Sequence, residues 1–285
     1  MRIVLGLLIA LWMLPAGAAS FVATIDQSRW DLESSKFNCR LSQKIPLFGE
    51  AVFDHQAGEQ IRFVLRPLQG HGMKGKAMLL AEASPWQPGT PPMRIGEVEF
   101  NQYSGEIEVF SPQAQNMIAA LYKGMMPTFK ARNWLGTGEN VRVGLSAANF
   151  QPAFESYSGC VAGLLPVNYR QIARTAVLFP SATWRLSDAT KARLDLIAIY
   201  VNNDEAVSSV YVDGHSDTQG RRLANRDLSK KRADEVTAYL VAKGVNPDVI
   251  ITRYHGERYP VGQKNDRSTR DRSRRVTIRL DRDQP

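Results

Sequence analysis

Cysteine and histidine are both scarce in this sequence, and their scarcity limits the chemistry that it can carry. Its 285 residues include two cysteines, Cys39 and Cys160, whose spacing has nothing in common with a redox-active C-x-x-C motif. None of the four histidines has a partner at metal-ligand spacing. No G-x-S-x-G elbow surrounds Ser216, and no paired acid and base stands out. The sequence therefore predicts neither a metal site nor a cofactor, and it argues against an enzyme.

Long apolar runs are also rare, and the one that exists lies at the start of the sequence. Arg2 precedes the apolar stretch Ile3–Leu14, and the small residues 16–18 follow it. As a helix this stretch would rise about 18 Å, which is short of the roughly 30 Å of a bilayer core. We therefore expect residues 1–18 to be a removable signal peptide. No cysteine follows at which a lipid could be attached, and the mature chain is expected to have no transmembrane segment.

Export gives the two cysteines a structural interpretation. In an oxidising compartment a single bridge between Cys39 and Cys160 is the simplest pairing. It would close a loop of about 120 residues and stabilise the fold by roughly 4–5 kcal/mol through chain entropy. Two buried free thiols are the alternative.

Charge is unevenly distributed along the chain. The net charge of +8 divides into +1 for residues 1–166 and +7 for residues 167–285. A basic half in an exported protein indicates an anionic partner, such as cell-wall carboxylates or phospholipid head groups, or else a solvated face. The arginines between residues 267 and 275 lack interleaved aromatic residues, and export also argues against nucleic acid as a partner.

The first half, from Phe21 to about Leu165, has mostly strand-like periodicity. Short runs rich in β-forming residues are separated by turn residues and cover 51–53, 61–68, 76–80, 98–110 and 141–145. One helix is predicted, with Ser111 as its N-cap, Pro112 in its first turn and Gly124 at its end. Short strands at this spacing predict an N-terminal all-β domain of barrel or sandwich type.

The second half alternates strands and helices. Strand-like runs occur at 176–179, from 210 to 214, from 249 onward and at 276–280. One helix is predicted from Ser187 through Val201, and a longer one from about Leu223 to Lys243 with Gly244 just after it. The order β-α-β-α-β-β indicates a compact sandwich with helices on one sheet face, and the whole chain is predicted to be α+β.

Two charged residues of the second half have a spacing that favours a binding site. Asp217 follows the strand end Val212-Asp213-Gly214, and Arg232 lies fifteen residues later on the long helix. Across one cleft, the carboxylate would accept hydrogen bonds from an ammonium while the guanidinium binds a carboxylate. The diaminopimelate of a peptidoglycan stem peptide presents such a pair of groups. An ordinary Asp–Arg bridge that fastens loop to helix is the alternative.

The surrounding motifs resemble the OmpA-like peptidoglycan-binding domain over roughly residues 172–282. They are G-H-S-D, L-S-x-x-R-A-x-x-V, G-V-x-P-x-x-I and a closing R-R-V-x-I. The resemblance implies that Asp217 and Arg232 hold diaminopimelate, that Ser216 is a neighbour of the site and that Arg275 packs near it. Ser273 stands where this family usually has an asparagine, and the charged loop from residue 260 to 274 has no assigned role.

The first half resembles the MotY family of flagellar motor proteins. The resemblance lies in the segments 48–53, 84–89 and 127–129 and in Trp134, and the cysteines fall where that family has its disulfide. It implies a periplasmic T-ring subunit that binds a MotX partner and the flagellar basal body and helps to place stator units around the rotor.

Together these expectations describe a non-catalytic anchor of the periplasm. Residues 1–18 would be the signal peptide, 19–165 a β-rich domain that binds the basal body and its partners, and 166–285 the peptidoglycan-binding domain. Two alternatives stay open at this point. One is a wall-tethered envelope protein with no flagellar role, and the other is a wall hydrolase with an OmpA-like targeting module.

Overall fold

The computed structural model describes residues 19–68, 75–101, 103–134, 138–262 and 266–283 and divides the chain into two compact units. The first unit comprises the chain up to Ser34, Cys39–His55 and Gln60–Ala162, and the second comprises Ser35–Asn38, Gln56–Glu59 and Gly163–Pro285. The expected signal peptide lies outside the described residues. Within them, no helix combines the length and the apolar character that crossing a bilayer would require.

The first unit is built on one curled sheet of ten strands that forms a half-barrel. Its strands are β1 (Ala19–Val22), β2 (Trp30–Ser34), β3 (Asn38–Ile45), β4 (Gly49–Gln56), β5 (Arg62–Pro67), β6 (Lys76–Glu82), β7 (Met93–Asn101), β8 (Glu106–Phe110), β9 (Met126–Arg132) and β10 (Asn140–Gly144). They lie in the order β1-β10-β9-β6-β7-β8-β5-β4-β3-β2. The antiparallel pairs bury alternate residues, and Phe53, Phe63 and Phe129 pack with ring centroids 5.0 and 5.8 Å apart.

Two helices lie in the described part of the first unit, and the sequence predicted one of them. Helix α1 (Gln113–Tyr122) was expected, but its N-cap position is Pro112, and Ser111 makes no cap there. Helix α2 (Phe150–Ala162) was missed and read as part of the strand-like region. The loop 83–92 between β6 and β7 contains four prolines, and Ser104–Gly105 lie in the turn between β7 and β8.

The predicted disulfide is confirmed within the first unit. Cys39 on β3 and Cys160 on α2 are bonded, with Cα atoms 6.0 Å apart, and the described part of the chain holds no free cysteine. The two residues are 121 positions apart in the sequence, and the bridge joins β3 to α2, the last helix of the unit.

The second unit has the predicted β-α-β-α-β-β order with two short helices added, and the α+β class is confirmed. Its strands are β11 (Arg174–Leu178), β12 (Val207–Gly214), β13 (Ile250–Tyr254) and β14 (Arg275–Arg282), and its helices are α3 (Tyr169–Ile172), α4 (Asp188–Val201), α5 (Arg222–Ala242) and α6 (Arg267–Ser273). The sheet order is β11-β14-β12-β13, with β12 parallel to β13 and antiparallel to β14. The short helices α3 and α6 were not predicted.

Local signals explain where the two long helices of this unit begin and end. The Ser187 side chain accepts a hydrogen bond from the Thr190 amide and caps α4 as predicted. Gly244, at φ +92°, ends α5, and the amide of Val245 donates to the Leu240 carbonyl in a Schellman pattern. Apolar residues of both helices cover one face of the sheet and form the core of the unit, which includes Leu194, Ile197, Val210, Val212, Val236 and Ile278.

Candidate functional site

A close contact between β12 and α5 brings the predicted site residues together. β12 ends at Gly214, and His215, Ser216 and Asp217 follow. A Cβ atom at Gly214 would lie 2.1 Å from the Ser229 carbonyl oxygen on α5, so a side chain there would push the strand and the helix apart. The glycine of the G-H-S-D motif thus sets the distance between the loop that carries Asp217 and the helix that carries Arg232.

Arg232 is fully buried, and its guanidinium donates to three backbone carbonyl oxygens. The acceptors are Thr183 at 2.9 Å, His215 at 3.0 Å and Pro180 at 3.1 Å. Among the described residues no carboxylate lies within 4 Å of this guanidinium. Burial lowers the pKa of Arg232 to about 10, whereas the Asp217 charge acts in the opposite direction. Arg232 is therefore a charged group at neutral pH without a contacting counter-ion.

Asp217 lies close enough to influence Arg232, yet its ion pair is with another arginine. Its Oδ2 accepts a hydrogen bond from Arg274 Nη1 at 3.0 Å, and its Oδ1 accepts from the Gln219 amide at 3.3 Å. Arg274 also donates to Asp271 and, at 3.2 Å, to the Phe179 carbonyl. Burial lowers the pKa of Arg274, but the hydrogen bonds to its two carboxylates outweigh this and raise it. Arg274 thus joins Asp217 and Arg232, the two residues of the predicted clamp, as a third charged group of the site.

The other two predicted residues take different positions around this cluster. Ser216 is buried, and its hydroxyl donates to the Asp217 carbonyl oxygen at 3.0 Å. Arg275 donates to the Tyr259 carbonyl at 3.3 Å, and burial lowers its pKa. Ser216 therefore supports the loop that carries Asp217, whereas Arg275 points toward Tyr259 and makes no hydrogen bond to Asp217.

Comparisons with known proteins bear on both halves of the chain. A family model described as the MotY N-terminal domain matches residues 21–166, and one described as the OmpA family matches residues 178–274. The sodium-type flagellar protein MotY of Vibrio parahaemolyticus is 31% identical over 268 residues, which cover 93% of this chain and 91% of that protein. The chain belongs to the MotY family. Both resemblances seen in the sequence are thereby confirmed.

Further similarities of this MotY-family chain are partial. The peptidoglycan-associated lipoprotein of Pseudomonas putida is 29% identical over 144 residues, which cover 50% of this chain and 84% of that protein. The crystal structure of the peptidoglycan-associated lipoprotein from Burkholderia pseudomallei is 24% identical, with a TM-score of 0.36, and the match covers 37% of this chain and 89% of that one.

Arg274 is the site residue that sequence reasoning missed in this MotY-family chain. It is the first of the paired arginines in the closing motif, and the second, Arg275, was chosen instead. Strand alternation begins at Arg275, whereas Arg274 is the residue that ends α6 and leads into the strand. The pair itself carried a signal. Adjacent side chains at the start of a strand point in opposite directions, so the two arginines could not both face the same site.

Ser273, where the OmpA-like family usually has asparagine, fastens the charged loop. Its hydroxyl accepts a hydrogen bond from the Val261 amide at 3.0 Å and donates to the Thr269 carbonyl at 2.7 Å. Asp266 caps the short helix by accepting from the Thr269 amide at 2.8 Å. The described part of the segment from 260 to 274 therefore has ordered contacts that place Arg274 next to Asp217.

A second titratable cluster borders the site on the β13 side. The ring of His215 stacks on His255 at 5.1 Å, and His255 hydrogen-bonds Asp213 at 2.8 Å. Arg253 forms a bidentate pair with Asp213 at 2.7 and 2.8 Å. Burial lowers the pKa of His215 to about 4, so its ring is neutral at pH 7. Within the described residues, no group of three potential ligands is arranged to hold a metal ion.

Proposed function

We propose that this protein is a non-catalytic component of the flagellar motor that acts in the periplasm and holds peptidoglycan through its second unit. Membership of the MotY family supports the motor role, and the OmpA family match supports peptidoglycan as the partner. In the finer form of the proposal, the protein is a T-ring subunit. Its first unit binds a MotX-like partner and the basal body, and the protein helps to place stator units around the rotor.

The observation that carries the binding proposal is the charge arrangement around Asp217. One carboxylate lies between two guanidiniums, and the one on Arg232 has no carboxylate in contact among the described residues. The free end of diaminopimelate carries an ammonium and a carboxylate. Asp217 would accept from the ammonium, Arg274 would donate charge-assisted hydrogen bonds to the carboxylate, and the positive charge of Arg232 would attract that carboxylate from a greater distance.

Direct contact between the ligand and Arg232 requires a local movement. The guanidinium is covered by the carbonyls of Pro180 and Thr183, which belong to the turn between β11 and α4. Arg274 is the more accessible donor, since its side chain is 14% exposed, whereas Arg232 has no exposed surface. We therefore assign the first contact with the ligand carboxylate to Arg274 and a long-range electrostatic role to Arg232.

Co-sedimentation with purified sacculi tests the peptidoglycan proposal. Sacculi with diaminopimelate and sacculi with lysine at the same stem position offer a matched pair, because lysine has the ammonium and lacks the carboxylate. We expect the protein to pellet with the first kind and to pellet far less with the second. Equal binding to both would overturn the assignment. Sustained release of muropeptides in the same incubation would instead favour the wall hydrolase.

A deletion strain tests the motor role separately. We expect it to assemble flagella and fail to swim, and to recover swimming when the gene is restored. Normal swimming of the deletion strain would favour the alternative of a wall-tethered envelope protein with no flagellar role.

A further inference from the structure

A separate basic cavity adjoins the loop that carries Asp217. It has a volume of about 590 Å³ and is lined by Arg222, Leu223, Arg226, Tyr254, His255, Gly256, Glu257 and Arg258. Gly256 of this lining accepts a hydrogen bond from the Ser216 amide at 2.9 Å. Arg222, at the start of α5, follows Asp217 by five residues. The cavity and the Asp217 cluster therefore share one loop and are neighbours on the same unit.

Three arginines and one glutamate line this cavity and leave it with a net positive charge. No described carboxylate lies within 4 Å of the guanidinium of Arg222, Arg226 or Arg258. The single acid of the lining, Glu257, accepts a hydrogen bond from Asn225 at 2.6 Å. Charge-assisted bonds from three guanidiniums to one bound anion would be strong and geometrically specific.

The arginines of the cavity repel one another. Arg222 and Arg226 are four residues apart on α5, a spacing at which like charges destabilise a helix. Arg226 is also held in place, because its guanidinium carbon lies 5.3 Å from the centre of the Tyr254 ring. An anion in the cavity would offset this repulsion.

We propose that the cavity binds a second carboxylate of the same peptidoglycan stem, the α-carboxylate of the glutamate that precedes diaminopimelate. This inference rests on the proposed function, since it assumes that diaminopimelate occupies the Asp217 cluster. Nine bonds separate the free-end carbon of diaminopimelate from the α-carbon of the glutamate, a path about as long as three extended residues, or roughly 10 Å. A ligand that is held at Asp217 and continues along the loop that the two sites share would bring this α-carboxylate to the cavity.

Two soluble tripeptides, L-Ala-γ-D-Glu-diaminopimelate and its analogue amidated at the glutamate α-carboxylate, test the inference with the full chain. We expect the wild-type protein to bind the free acid about tenfold more tightly, the lower end of what one charge-assisted bond allows, since the three arginines are exposed. Arg226→Gln and Arg258→Gln should each reduce this preference to about twofold. Arg174→Gln is the matched control, because it removes an exposed arginine from the opposite side of the sheet and should leave the preference unchanged.

The outcomes separate this inference from the proposal on which it depends. Equal affinity of the wild-type protein for both tripeptides, or an unchanged preference in both cavity variants, would overturn the second carboxylate site alone. Failure of both tripeptides to bind would contradict the diaminopimelate site and the cavity site together. Because the substituted arginines are exposed, circular dichroism should show that each variant keeps the wild-type fold.

Discussion

Asp217 pairs with Arg274 at 3.0 Å, and the sequence expectation had joined it to Arg232. Arg232 instead holds the turn between β11 and α4 by donating to the carbonyls of Pro180 and Thr183. The two arginines that surround one carboxylate thus have different tasks. In the proposed site, Arg274 would exchange its contact with Asp217 for one with the ligand, whereas Arg232 fastens the turn beside the site.

Asp217→Asn should weaken binding to diaminopimelate sacculi. The amide keeps the shape of the side chain but loses the charge that attracts an ammonium, and a charge-assisted hydrogen bond contributes about 1.5–3 kcal/mol. We expect roughly a 10- to 100-fold loss of affinity, measured by co-sedimentation at several protein concentrations.

Asp271→Asn is the matched control for this substitution. Asp271 is the other carboxylate of Arg274, but its side chain is 49% exposed and it contacts the far side of the guanidinium. We expect the affinity of the Asp271→Asn variant for sacculi to stay within about twofold of the wild-type value, since exposed ion pairs contribute little. If both variants lost affinity equally, the loss would reflect a misplaced Arg274, and Asp217 would not be a ligand-binding residue.

Arg232→Met should lower the stability of the second unit. Three carbonyl oxygens would lose a charged donor, and we expect a loss of about 2–4 kcal/mol in the free energy of unfolding by urea. Lys230→Met is the control, because Lys230 is an exposed residue of the same helix and forms an exposed ion pair with Asp234 four residues away. Its cost should stay below about 0.5 kcal/mol. A similar, small effect of both substitutions would show that the buried bonds of Arg232 do not stabilise the fold.

The second unit could be predicted well because its local signals agree with its tertiary structure. Ser187 caps α4 and Gly244 ends α5 at the expected positions. Helix α2 was missed for the opposite reason. It contains Pro152, Ser156 and Gly159, which have low helix propensity. Its aromatic residues at positions 150, 154 and 157 do recur at helical spacing, and their packing in the folded unit stabilises the helix.

The candidate site could be predicted only in part. The G-H-S-D and L-S-x-x-R-A motifs located Asp217 and Arg232, because those residues lie on elements with clear periodicity. The burial of Arg232 and its carbonyl partners depends on the turn after β11, whose path no local pattern determines. The pairing of Asp217 with Arg274 joins residues 57 positions apart, and spacing alone cannot predict such a contact.

Removal of the disulfide should destabilise the first unit. In the chain-entropy model, a bridge across 121 positions restricts the unfolded chain by about 4–5 kcal/mol. The double substitution Cys39→Ser and Cys160→Ser should lower the urea midpoint and reduce accumulation in the periplasm. Reduction of the wild-type protein should reproduce the lower midpoint, and the same reductant should leave the double variant unchanged. Equal midpoints of the oxidised wild type and the double variant would refute a stabilising role.

The stability of the second unit should fall as the pH decreases from about 6.5 to 4, because of His215. Burial lowers the pKa of this ring from 6.5 to about 4, the positive charges of Arg275 and His255 add to the effect, and Asp213 opposes it. The unfolded chain therefore takes up a proton at a pH at which the folded chain does not, and acid favours unfolding.

The expected size of this effect is about 2 kcal/mol between pH 7 and pH 5, measured as the change in the free energy of unfolding by urea. His215→Phe keeps an aromatic ring at the position and removes the titration, so the variant should lose most of the difference between the two pH values. Asp213 acts at lower pH. Burial tends to raise the pKa of Asp213, but the hydrogen bonds from Arg253 and His255 lower it overall. The stability that the Asp213 charge contributes is therefore lost only when the pH falls below about 3.9, the ordinary pKa of an aspartate. An equally steep decline in the wild type and in His215→Phe would assign the pH dependence to other groups.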